Sequence, residues 1–191
     1  LRMTLLDMAH AEGFNRSAKD VTIGRLLQFG LAPALKQNFE EIQRAPYLIQ
    51  MLLAEINHED TAEFFRVNYD GYWEKFNRGT VIAGDNKVSE RIQKMIENTN
   101  FIALTLNKSI QSALHIWEEG RKKLKLEEDS DSSIESNDEL DDEMEGYPAD
   151  LKGAFERWNL EVAVLNNSTE RKSLYRSLSA SEVSALQSEM T

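Results

Sequence analysis

The stretch IQKMIENTNFIALTLNKSIQSALHIW, residues 92–117, carries the most regular pattern in the chain. Apolar or small side chains recur there alternately every four and every three residues, which is the heptad spacing of a helix that packs along a partner helix. Gly and Pro are missing until Gly120, so the pattern predicts one helix over about 88–123, roughly 54 Å long at 1.5 Å per residue. The residues of this seam are Ile92, Ile96, Thr99, Ala103, Leu106, Ile110, Ala113 and Trp117.

The same spacing returns after residue 147. Pro148 suits the first turn of a helix, where its missing N–H is not needed, and the pattern predicts a helix over about 148–166. A helix as long as 88–123 needs a long partner to bury its seam. We therefore expect 148–166 to pack along it, and the chain to form a homo-oligomer, most simply a dimer. The later seam residues are Leu151, Phe155, Trp158, Val162 and Leu165.

An acidic segment, residues 127–146, separates the two patterns. It holds eleven acidic residues between Glu127 and Glu145 and no Lys or Arg, whereas the rest of the chain has 22 acidic and 22 basic residues. Such a composition predicts a disordered linker, and residues 127–145 could engage a basic protein partner. Ser132 and Ser136 each precede a Glu by three residues, which is typical of acidophilic kinase sites; the alternative is a solvated loop with incidental serines.

Helical periodicity extends through the remaining chain, and we find no convincing strand alternation. Further helices are predicted at 1–13, from Ser17 to the break at Gly30 and Pro33, at 33–44, from Pro46 to Ile56, and at 60–76, where Asp60 and Glu63 form a capping box. Two more are predicted at 169–178 and after a second capping box at Ser179 and Glu182. The expected fold is therefore an all-α helical bundle with coiled-coil packing. Its expected divisions are a helical domain at 1–126, the linker at 127–146 and C-terminal helices at 147–191.

Several kinds of chemistry are not expected. The chain has no Cys, no phosphate-binding loop and no nucleophile elbow, so neither a cofactor nor a catalytic site is predicted. Glu55 and His58 have the Glu-x-x-His spacing of di-iron bundles, but these sites need that motif twice, and His115 precedes Glu118 in the reverse order. No metal site is predicted. No apolar run reaches the roughly 18 residues of a membrane span. With no Cys and no visible signal peptide, an intracellular protein is expected, cytoplasmic or, in a eukaryote, nuclear.

Residues 1–31, LRMTLLDMAHAEGFNRSAKDVTIGRLLQFGL, combine an apolar helix, a Glu-Gly before a break, and the sequence NRS before a second apolar helix. This stretch resembles the helix–helix half of ribbon–helix–helix DNA-binding proteins of the Arc repressor type. The resemblance implies a dimerising unit that contacts DNA. In that family a strand before the first helix reads the bases, and this sequence starts after that point. Arg16 and Ser17, at the start of the second helix, are then the implied phosphate contacts.

The sequence favours two functions almost equally. The first is a non-enzymatic, self-associating helical protein that acts with DNA, such as a regulator or accessory factor of the phage or plasmid type. The basic cluster Arg121, Lys122, Lys123 and Lys125 would add DNA contacts, although it also suits the carboxyl end of a helix. The alternative is a helical adaptor or assembly protein with no nucleic-acid role. An enzyme is the least favoured interpretation.

Overall fold

The computed structural model describes residues 1–43, 45–128, 148, 150–167 and 174–190, with side chains described up to Arg121 in the helix that ends at Glu128. They belong to two compact units, an N-terminal unit, Leu1–Ile82, and a C-terminal unit, Ala83–Thr191. Each unit contains helices and a small antiparallel sheet. The predicted all-α bundle is therefore wrong, and the chain is a mixed α/β protein.

Helices form the first part of the N-terminal unit: α1 (Arg2–Asn15), a short 3₁₀ turn (Ala18–Asp20), α2 (Ile23–Leu26), a π-helical turn (Leu27–Leu31) and α3 (Ala32–Glu40). The predicted helix start at Ser17 is wrong, because Ser17 caps only the 3₁₀ turn, accepting from the Lys19 N–H at 3.2 Å. Thr22 caps α2 instead.

Gly30 and Pro33 do not end the helix, contrary to the prediction. The N–H of Ala32 donates to the Leu27 carbonyl, five residues back, so the chain runs through a π turn into α3. A π turn widens the helix at this point. Pro33 then stands in the first turn of α3, directly after the π turn, and has no N–H to donate to the preceding turn.

Three strands follow in chain order: β1 (Met51–Ile56), β2 (Ala62–Val67) and β3 (Trp73–Phe76). They form an antiparallel sheet in the order β1-β2-β3. The predicted helices at 46–56 and 60–76 are both wrong. Asp60 is not a helix cap, because its positive φ of 55° places it in the left-handed position of the turn between β1 and β2.

The core of the N-terminal unit lies between the helices and one face of this sheet. Leu27, Leu31 and Leu35 line the helical side, and Phe65 and Val67 project from β2, each at most 2% exposed. Partly buried residues close its margin: Leu1, Leu5, Ile23, Met51, Leu53 and Trp73. Residues of β2 alternate between the two faces, so Phe64 and Arg66 project from the face away from the helices.

The C-terminal unit begins with α4 (Asn86–Asn98), a 3₁₀ turn (Phe101–Ala103) and α5 (Leu106–Glu128). The predicted single helix over 88–123, with its coiled-coil seam, is thus wrong. Thr99 ends α4: its hydroxyl donates to the Met95 carbonyl at 2.8 Å and its N–H to the Ile96 carbonyl at 3.1 Å. Such local bonds by a β-branched hydroxyl residue compete with helix propagation. The chain then folds back, so that α4 packs on α5.

The rest of this unit comprises α6 (Leu151–Arg157), β4 (Ala163–Leu165), β5 (Tyr175–Ser177) and α7 (Ala180–Ser188). The predicted helix over 148–166 is wrong beyond Arg157, where β4 follows, and within the predicted helix at 169–178 the described residues contain β5. Strands β4 and β5 pair antiparallel. The capping box at Ser179 and Glu182 is confirmed, with both reciprocal bonds present.

Candidate protein-interaction surfaces

The solvent-facing side of α1 is unusually apolar. Its inner side contacts the core through Leu1 and Leu5, and the opposite side carries Met3, Leu6, His10 and Phe14, called the outer stripe below. These residues are spaced three, four and four apart, which places them on one helix face. Phe14 is 91% exposed, Met3 67% and Leu6 44%. No residue of α1 is fully buried.

A second exposed aromatic residue lies close to this helix. The Nε of Arg25 donates to Glu12 of α1, and the same guanidinium lies over the ring of Phe29, 5.2 Å from its centroid. Phe29 is 68% exposed. Arg25 thus joins α1 to the π turn and brings another apolar side chain to the surface beside the carboxyl half of α1.

The DNA-contact candidates near α1 have partners within the chain. Arg16 pairs with Glu12 through its Nε at 3.1 Å, and its side chain is about half exposed. The Ser17 hydroxyl accepts the Lys19 N–H. Glu12 holds both Arg16 and Arg25, so its carboxylate offsets the positive charge at this end of α1.

The sheet face away from the helices carries a polar cluster among apolar residues. Arg66 donates to Glu74 at 2.6 Å and to the Val81 carbonyl at 3.4 Å, and its guanidinium lies over Phe76. The Tyr72 hydroxyl donates to Glu74 at 3.1 Å, and this bond to a carboxylate raises the pKa of Tyr72. This network fixes β2 to β3 on the side opposite the core.

On the helix-facing side of the sheet, Glu63 of β2 bonds to Lys75 of β3 at 2.8 Å and accepts from Asn57 at 2.8 Å. The bond from Lys75, followed by that from Asn57, lowers the pKa of Glu63. The other carboxylate of this edge, Glu55, accepts the Ile23 N–H at 2.8 Å and so supports the start of α2.

The predicted Glu55-x-x-His58 pair is not on a helix. Glu55 lies in β1, whereas His58 lies in the following turn, where its Nε2 contacts the Lys19 carbonyl. The structure thus has a strand and a turn where the sequence predicts the end of the helix from Pro46 to Ile56. Both side chains hold the hairpin against the helical layer.

The predicted seam is divided among different environments. Ile92 is buried and Ile96 partly buried on α4, Ala103 and Leu106 are exposed at the break, and Ala113 is exposed on α5. Ile110 and Trp117 are partly buried, while Ile116, which the heptad spacing left out, is buried. A single continuous packing surface is therefore wrong, because the break at Thr99 changes the direction of the chain.

Helix α6 nevertheless packs on α5. The Leu151 N–H donates to Glu118 at 3.1 Å, and the rings of Trp117 and Trp158 meet edge to face with centroids 6.5 Å apart. Arg121 lies over Trp117 at 4.9 Å, so this member of the basic cluster contacts an aromatic ring. Lys122, Lys123 and Lys125 belong to α5, but their side chains lie outside the described part, as do Ser132, Ser136 and the linker from residue 129 to 147.

An open groove of about 730 Å³ runs between the end of α6, the β4–β5 hairpin and α7. Three predicted seam residues line it, Phe155, Trp158 and Val162, together with Tyr175 and Val183. The sequence predicts Phe155, Trp158 and Val162 on one helix, whereas Val162 lines the groove from the segment directly before β4.

One group of side chains in the described part has the spacing of metal ligands. Ligand atoms of His115, Glu118 and Glu119, on consecutive turns of α5, lie within 4.8 Å of one another. Glu118 already accepts the Leu151 N–H, and its second oxygen is 3.9 Å from His115 Nδ1. The carboxylate of Glu118 thus has a structural role in holding α6.

No family model and no curated protein sequence matches this chain. Within the described residues, none of the helices combines the length and the apolar character needed to cross a bilayer.

Proposed function

We propose that the chain is a non-enzymatic structural subunit that joins a protein assembly through the outer stripe of α1. The exposure of Phe14, Met3 and Leu6 on the helix side away from the core carries this proposal. Contiguous apolar surface that faces solvent is typical of protein–protein contacts, and aromatic and Met side chains are enriched at the centre of such contacts.

The size of these side chains determines how much free energy their burial contributes. Burying a large apolar side chain that is otherwise exposed contributes about 1.5–3 kcal/mol. Phe14 and Met3 have most of their surface in solvent, so their burial against a protein partner would contribute several kcal/mol to binding.

The DNA-binding alternative depends on Arg16 and Ser17 and remains a prediction. The pairing of Arg16 with Glu12 counts against it only slightly, because an exposed ion pair of this kind contributes about 0–1 kcal/mol. The near balance of acidic and basic residues outside the acidic segment also gives little electrostatic attraction to a polyanion.

The test places the photo-crosslinking residue benzoylphenylalanine at position 14 of the full chain in its native cells. A matched control carries the same residue at Asn77, an exposed position after β3. We expect position 14 to give one discrete protein adduct, identified by mass spectrometry, that the control does not give. Nucleic-acid adducts at position 14, or the same adducts at both positions, would contradict the proposal.

A further inference from the structure

The outer stripe of α1 is complementary to itself when two copies lie antiparallel. If two α1 helices cross at a two-fold axis midway between Met8 and Ala9, Met3 of one copy faces Phe14 of the other. Under the same symmetry Asp7 faces His10, twice. Asp7 and His10 are both exposed and lie on the same side of the helix as Met3 and Phe14.

We propose that the partner bound by the outer stripe is a second copy of this chain, held by an antiparallel α1–α1 contact about a two-fold axis. This inference depends on the proposed function and names its partner. Two-fold contacts use the same patch on both subunits, so a patch must match its own reversed copy. The outer stripe does so in shape, because the flexible Met3 side chain meets the ring of Phe14.

The charges match in the same arrangement. Asp7 is acidic and His10 carries a basic imidazole, so on each side of the two-fold axis, near the centre of the contact, a carboxylate faces an imidazole. In a parallel arrangement, equal residues would face each other, and the two Asp7 carboxylates would repel. The sequence of charges along α1 therefore favours the antiparallel orientation.

The length of the helix sets the expected strength. Fourteen residues of α1 span about 21 Å, which limits the contact to the lower range of specific interfaces. We therefore expect a dimer with a dissociation constant in the micromolar range, in exchange with monomer.

The predicted dimer is tested by sedimentation velocity of the purified full chain, at concentrations from micromolar to submillimolar. Phe14→Ser should raise the dimer dissociation constant at least about 100-fold, because the lost apolar contact occurs twice. Asp7→Arg and His10→Glu should each raise the dissociation constant about tenfold. The first variant puts Arg opposite His10 and the second puts Glu opposite Asp7, so neither keeps an acid facing a base. The double variant Asp7→Arg with His10→Glu reverses the pair and should restore the wild-type value to within about threefold.

Lys87→Glu, an exposed charge change in the C-terminal unit, is the matched control and should leave the constant unchanged. Circular dichroism of each variant separates a lost contact from a lost fold. A chain that stays monomeric, or a dimer whose double variant is no tighter than the single variants, overturns the antiparallel contact. If position 14 still crosslinks a different protein in cells, the proposed function stands and only the identity of the partner is wrong.

Discussion

Gly71 offers a sharp test of how the β2–β3 turn packs on the helical layer. The residue has a φ of +83°, and a Cβ added to it would overlap the carbonyl oxygen of Ala32, in the first turn of α3. The Gly71 N–H donates to the Asn68 carbonyl at 3.1 Å, which closes the turn. The turn therefore approaches the helix backbone closely, and only glycine fits both the conformation and the space.

Two free-energy costs add in the variant Gly71→Ala. An L-residue in the left-handed region costs about 1–2 kcal/mol, and forcing an extra carbon against an unyielding backbone costs about 1–3 kcal/mol. The expected loss is thus about 2–5 kcal/mol, against the roughly 5–15 kcal/mol that stabilises a typical domain. Gly71→Asn should separate the terms, because Asn tolerates a positive φ but keeps the Cβ.

The assay is urea unfolding followed by the fluorescence of Trp73, which lies 6.1 Å from the Phe65 ring in the core, in a background where Trp117 and Trp158 are Phe. Gly84→Ala is the matched control, since its Cβ would meet no atom within 4 Å. We expect the control to change stability by less than about 1 kcal/mol. The packing argument is wrong if Gly71→Ala resembles the control, or if Gly71→Asn retains wild-type stability.

Three further predictions concern other parts of the chain. Gly120→Ala places a Cβ against the buried Ile92 side chain and should destabilise the C-terminal unit by about 1–3 kcal/mol. In thermal melts, its effect should not add to that of Ile92→Ala in a double-mutant cycle, and additive effects would refute the α4–α5 contact. Phe65→Ala, at 1% exposure, should cost about 3–5 kcal/mol in urea unfolding, and a loss below about 1 kcal/mol would argue against the core. The pKa of Glu182 is lowered from 4.5 to about 2, first by the hydrogen bond from the backbone N–H of the α7 N-cap Ser179 and then by the bond from Arg176. The cap therefore stabilises α7 fully at a pH above the ordinary carboxyl pKa, and this stabilisation is lost as the pH falls toward 2. An NMR titration of the Glu182 carboxyl should show that low midpoint, and Arg176→Met should raise it.

The sequence predicts the helices whose ends are chemically marked. The capping box at Ser179 and Glu182 places α7 correctly, and the apolar run ending near Gly13 gives α1 within two residues of its observed end at Asn15. In these places a local bond or a local break decides the structure. Sequence alone therefore suffices where the determining contacts lie within one turn.

The strands were missed because their apolar spacing also fits a helix. Phe64, Phe65 and Trp73 look helical in spacing, yet β2 and β3 carry apolar residues on both faces, so strict alternation is lost. The signal that could have found the sheet is Asp70-Gly71 between two aromatic-rich runs, which is typical of a hairpin turn. Asp60 was likewise misassigned, because an acidic residue before Thr suits a cap and a left-handed turn equally well.

The candidate surface was only partly accessible from sequence. Leu6 is apolar in the pattern of α1, but the sequence does not say which side of the helix meets the core. That choice depends on Leu1 and Leu5 packing against a core whose residues, from Leu27 to Val67, lie more than twenty positions later in the chain. The heptad seam failed for a similar reason, since the bonds of Thr99 end α4 inside an otherwise unbroken pattern.

The strand order β1-β2-β3 follows the chain, and five-residue turns, 57–61 and 68–72, join neighbouring strands. Contacts between residues close in sequence form quickly, and the amino-terminal part of a chain leaves the ribosome first. Among the described residues, those that form or margin the core of the N-terminal unit extend no further along the chain than Trp73. This core can therefore form while the residues that follow it are still being synthesised.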